Sequence, residues 1–131
     1  MSPIKLKLLI KKMIEYIQNI PKSIQSIISV FIVLFLTILH FIKPPNVATF
    51  DSLIQVDKLI HFLMFFLLSS WFALIYGDKR KIILISSLVF YGLFLELMQM
   101  QFFIFRSFEW FDWLADSMGV IVGFFTIRKW L

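Results

Sequence analysis

At 131 residues, 60% of them apolar and with a mean hydropathy of +0.90, the chain holds more Phe, Ile and Leu than a soluble domain of its size can hide; soluble domains run at about 45–50% apolar. The bilayer is its solvent. Cysteine is absent, which excludes disulfides, thiolate nucleophiles and zinc–cysteine sites. The net charge of +5 lies in residues that flank apolar runs and not on a separate basic face, which excludes a nucleic-acid groove.

The chain opens with residues 4 to 20, which do not span. On a helical wheel Lys11, Lys12, Glu15, Gln18, Asn19 and Lys22 fall on one side, and Leu6, Ile10, Met13, Ile14, Ile17 and Ile20 on the other, with Leu8 as an exception. This spacing predicts an amphipathic helix on the inner leaflet, its lysines toward anionic headgroups. The segment 1–22 is therefore set apart from a membrane domain over 23–131.

Crossing about 30 Å of hydrocarbon takes about 20 apolar residues of helix. Four stretches qualify: about Ser23 to Ile42, Lys58 to Tyr76, Lys81 to about Gln99, and Trp110 to Ile127. Lys43-Pro44-Pro45 ends the first by chain geometry. The expected fold is all-α, a four-helix transmembrane bundle preceded by the interfacial helix. Lys5, Lys7, Lys11, Lys12, Lys22, Lys79, Arg80, Lys81, Arg128 and Lys129 fall on one side of it, against Lys43, Lys58 and Arg106 on the other. By that asymmetry both termini are cytoplasmic.

With this topology the polar residues collect at the outer side. Asp57, Lys58 and His61 open the second span, Glu96 and Gln99 close the third, Arg106 lies in the outer loop, and Asp112 and Asp116 open the fourth. A rise of 1.5 Å per residue sets His61, Glu96 and Asp116 at one depth, roughly 5–9 Å below the interface. Helical phase turns them inward: Gly92, Glu96 and Gln99 share a face, and Asp112, Asp116, Gly119 and Gly123 form one stripe. Gly119 and Gly123 make a G-x-x-x-G spacing that admits a close helix, within the chain or in a second copy. His40 and Lys43 end the first span, where snorkelling accounts for them. Trp110 and Trp113 read as interface anchors.

The ordered pattern Asp57-Lys58-x-x-His61-Phe62-x-x-Phe65, Glu96-x-x-Gln99, and Arg106-Ser107-Phe108-Glu109-x-x-Asp112-x-x-Ala115-Asp116-x-x-Gly119-x-x-x-Gly123 resembles the VanZ-like family of small bacterial membrane proteins. The likeness runs over about residues 56–123. It implies a bacterial envelope protein, because the founding member is associated with low-level resistance to teicoplanin. It also implies a polar set at Asp57, Lys58, His61, Glu96, Gln99, Arg106, Asp112 and Asp116. The family usually has Asn where this chain has Asp116, so an amide has become a titratable acid.

Three readings of the cluster follow. It is a network that fixes the bundle, since buried polar groups must be satisfied in any case. It holds or shields an envelope component, a membrane lipid or a lipid-linked cell-wall precursor, because intramembrane ionisable residues mark sites. Or it is an enzyme in which His61 with Asp57 or Glu96 does acid–base work, or in which His61 and several carboxylates hold a metal. H-E-x-x-H, a serine elbow and a Gly-rich phosphate loop are all missing from the sequence, so binding is expected over catalysis. The sequence assigns no metal and no cofactor, and a homo-oligomer stays open.

Overall fold

The computed structural model describes residues 2–42, 50–102 and 107–131, with side chains throughout except at 50–55, 78 and 79. Lys43-Pro44-Pro45 and Arg106 lie outside the described residues. The described chain is helical: α1 Pro3–Gln18, α2 Lys22–Phe41, α3 Phe50–Tyr76, α4 Lys81–Phe102 and α5 Trp110–Arg128, with one 3₁₀ turn at Gly77–Arg80. Four segments are long and apolar enough to cross a bilayer: Lys22–Phe41, Val56–Tyr76, Lys81–Phe102 and Trp110–Arg128. Their outward positions are apolar, as Phe31, Ile83, Phe90 and Met118 illustrate. Such a surface is stable only where the surroundings are hydrocarbon.

Helix α1 begins where Ser2 Oγ accepts the amide of Lys5 at 3.4 Å, with Pro3 pre-set for the first turn. It ends against the bundle. The buried amide of Gln25 in α2 donates to the carbonyls of Ile17 and Gln18, at 3.0 and 3.4 Å, closing the helix C-terminus. Gln18 in turn donates to the carbonyl of Leu74 in α3 at 3.1 Å. Only the strip of Ile10, Ile14 and Ile17 turns toward protein; Leu6, Leu9 and Met13 stay exposed. Lys11, Glu15, Gln18, Gly77, Arg128 and Trp130 line one cleft, so α1, the 3₁₀ turn and the C-terminus share one end of the molecule. Gly77 has φ +60°, a turn conformation that disfavours a side chain.

Helices α3 and α5 are the most closely packed pair. A Cβ at Gly119 would overlap the carbonyl oxygen of Phe62, and one at Gly123 that of Phe66, so backbone lies on backbone. Ser69 Oγ donates to the Val120 carbonyl at 2.7 Å, and Ser70 Oγ reaches that of Gly123 at 3.4 Å. The G-x-x-x-G spacing thus serves a contact within the chain. Around it Phe65, Leu68, Leu88, Leu95, Val120 and Phe124 are buried together as the core. Helix α2 joins through Trp71, whose Nε1 donates to Ser29 Oγ at 2.9 Å, and through a short hydrogen bond between Thr37 and Tyr91.

Candidate functional site

The opposite end of the bundle holds the polar residues. Helix α5 starts after Glu109, which puts Asp112 in its first turn, where the free amides and helix dipole favour an anion. Asp112 is buried, and Lys58 of α3 reaches it: Nζ stands 2.7 Å from Asp112 Oδ1 and 3.2 Å from Glu109 Oε2. One turn further along each helix, His61 Nδ1 lies 3.0 Å from Asp116 Oδ1 and 3.7 Å from Glu96 Oε1. Its Nε2 faces Asp57 at 4.0 Å. Gly92 makes room for Asp116: a Cβ at 92 would stand 3.1 Å from Asp116 Oδ2.

Of the sequence-derived set, Asp57, Lys58, His61, Glu96, Gln99, Asp112 and Asp116 meet here; Arg106 lies outside the described residues. His40 corrects the snorkelling reading. It is 3% exposed, its ring centroid is 4.6 Å from that of His61, and its Nε2 is 3.4 Å from Glu96 Oε1. Gln99 donates its amide to the His40 carbonyl, fixing the end of α2 over the cluster. The sequence held the signal for this, since His40 ends its span at the depth of His61, Glu96 and Asp116. Snorkelling keeps the polar tip in water, whereas the His40 ring is buried against His61 and Glu96. Glu109 was also passed over, although it shares Lys58 with Asp112. Trp113 is more than an anchor, because its Nε1 donates to the Val89 carbonyl of α4 at 3.1 Å.

Two layers result. The inner one is His40, His61, Glu96 and Asp116, all 3% exposed or less and one from each span. The other is a rim of Asp57, Lys58 and Glu109, whose side chains are 20%, 25% and 52% exposed. Donor atoms of the inner four lie within 4.8 Å of one another, as do those of Asp57, His61 and Asp112. Among the described residues both sets bring enough donor atoms together to hold a metal ion.

The VanZ/LLP1 family model matches residues 7–131, nearly the whole chain. The chain belongs to the VanZ/LLP1 family. The match extends well beyond residues 56–123, where the resemblance was read, and takes in α2 and most of α1. Neither the curated proteins nor the solved structures include a match to this VanZ-like chain.

Proposed function

We propose that this VanZ-like membrane protein holds the cationic group of an envelope amphiphile at the rim of its polar site. The observation that carries this reading is the state of Lys58. Its ammonium is already bound by Asp112 and Glu109, so it is not a free anchor for a phosphate. Among the described residues at this end five carboxylates, Asp57, Glu96, Glu109, Asp112 and Asp116, stand beside one lysine and two imidazoles. Asp57 and Glu109 are the accessible members of that excess. An amine brought to them gains a charge-assisted hydrogen bond in surroundings drier than bulk water. With the positive-inside count, the rim faces the outer leaflet of a bacterial inner membrane and both termini face the cytoplasm. There an amine-bearing lipid or lipid-linked cell-wall precursor is within reach, and sequestering it alters susceptibility to glycopeptide antibiotics.

Native mass spectrometry of the protein in mild detergent tests this. Wild type should retain an amine-bearing lipid or precursor, and Asp57→Asn with Glu109→Gln should lose it without a lower melting temperature. Equal retention of an amine-free anionic lipid by wild type and the double variant sinks the proposal.

A further inference from the structure

We propose that His40, His61, Glu96 and Asp116 form a four-coordinate site for a divalent transition-metal ion of the zinc class, one ligand from each membrane span. This goes beyond the rim reading and stands without it.

Distance is the first argument. Four N and O ligands about 2.0–2.1 Å from Zn²⁺ at tetrahedral angles stand about 3.3–3.4 Å apart. Here His61 Nδ1–Asp116 Oδ1 is 3.0 Å, His40 Nε2–Glu96 Oε1 3.4 Å and His61 Nδ1–Glu96 Oε1 3.7 Å. These three pairs bracket that spacing, and all four donor atoms lie within 4.8 Å of one another, so side-chain shifts of about 1 Å close the shell.

Satisfaction is the second. Buried side-chain donors and acceptors are nearly always paired, because an unpaired one costs about 1–3 kcal/mol. Both ring nitrogens of His40, Glu96 Oε1 and Asp116 Oδ2 are buried without a hydrogen-bond partner. Three of the four residues thus carry unpartnered donor atoms, although Glu96 Oε1 and His40 Nε2 are 3.4 Å apart. That pair is near enough to share an ion and too poorly aligned to share a proton.

Charge is the third. Net charge buried in a bilayer is costly. Two carboxylates and two neutral imidazoles around a divalent cation sum to zero, and this mixed N/O set suits zinc-class ions. Gln99 holds the His40 backbone, and Asp57 stands 4.0 Å from the far nitrogen of His61, one small shift from supporting it. The alternative set of Asp57, His61 and Asp112 offers one imidazole, and Lys58 already supplies its cation. All four proposed ligands are buried, so the site is of the closed, structural kind, a tie across the four spans.

The test uses full-length protein in mild detergent, without a polyhistidine tag, stripped by chelator and re-equilibrated with Zn²⁺. Elemental mass spectrometry should find about one ion per wild-type chain, as a single closed site requires. His40→Gln and Glu96→Gln should bind at least tenfold more weakly, since even supporting residues cost that much. Asp112→Asn, which touches only the alternative set, and Glu109→Gln, which touches only the rim, should keep the ion. Co²⁺ titrated into wild type should give the visible absorption of a tetrahedral centre, bleached by Zn²⁺; this measurement depends on no variant folding. Zinc retention equal to that of His40→Gln, loss of the ion in Asp112→Asn, or no Zn²⁺-sensitive Co²⁺ band overturns the site. Wild type that keeps zinc but retains no amine-bearing amphiphile would fault the rim reading alone.

Discussion

Replacing Gly119 by Ala tests the joint on which the polar site hangs. The added Cβ overlaps the Phe62 carbonyl oxygen and comes within 3.0 Å of the Phe66 amide nitrogen, both backbone atoms of α3 that no rotamer can move. To restore the 3.3–3.6 Å normal for carbon against carbonyl oxygen, α3 and α5 must part by about 1 Å. Overpacking of this kind costs about 1–3 kcal/mol. The same shift loosens the Ser69–Val120 and His61–Asp116 hydrogen bonds, at about 0.6 kcal/mol each by membrane-protein averages. Against that, Ala in place of Gly returns about 0.5–1 kcal/mol of helix propensity. The balance is a net loss of about 1–4 kcal/mol. Gly92→Ala is the control. Its Cβ meets Asp116 Oδ2 at 3.1 Å, Asp116 Cβ at 3.2 Å and Phe65 Cζ at 3.3 Å, and a shift of a few tenths of an ångström relieves all three. There the same propensity gain brings the net change within about 0.5 kcal/mol of zero. Reversible unfolding in mixed micelles with increasing SDS, followed by Trp fluorescence, measures both variants. A Gly119→Ala protein as stable as wild type refutes the backbone contact. So does a variant of wild-type stability that merely loses a crosslinked dimer, because the glycines would then serve a second copy.

Lys58→Met leaves Asp112 buried beside no ammonium; the expected loss is about 2–4 kcal/mol, below the range for a fully dry pair because Lys58 is a quarter exposed. Adding Asp112→Asn should recover part of it in the same unfolding assay, and no recovery means that the pair does not couple. Gln25→Leu removes the amide that closes α1 onto α2. Hydrogen exchange over residues 10–18 should rise about five- to 150-fold, matching the roughly 1–3 kcal/mol cost of the orphaned carbonyls, with the four spans unaffected. Single cysteines at Arg80 and Ser107, both exposed, report topology; Gly77 is a poorer choice because of its positive φ. An impermeant label added to intact cells should reach 107 and not 80, and the reverse pattern inverts the proposed orientation.

The sequence by itself determined the spans, because length and hydropathy against a 30 Å hydrocarbon layer leave little choice. Helical phase was equally direct: Glu96 with Gln99, and Asp112 with Asp116, Gly119 and Gly123, share faces by the 100° step alone, and all are buried. It determined which end the polar residues occupy as well, since antiparallel spans of known length set the depth of each. Partner choice came only with tertiary packing, because two residues at one depth on different helices meet or miss according to how the helices rotate and approach. Gly119 and Gly123 decide that approach for α3 and α5, and it puts His61 on Asp116. Lys58 had several acids at its level, and the first turn of α5 assigned it Asp112 and Glu109. His40 was legible as a residue and not as a member of the site. A lone imidazole at a helix end acquires its meaning from the rotation of α2, which brings it over Glu96 and against His61.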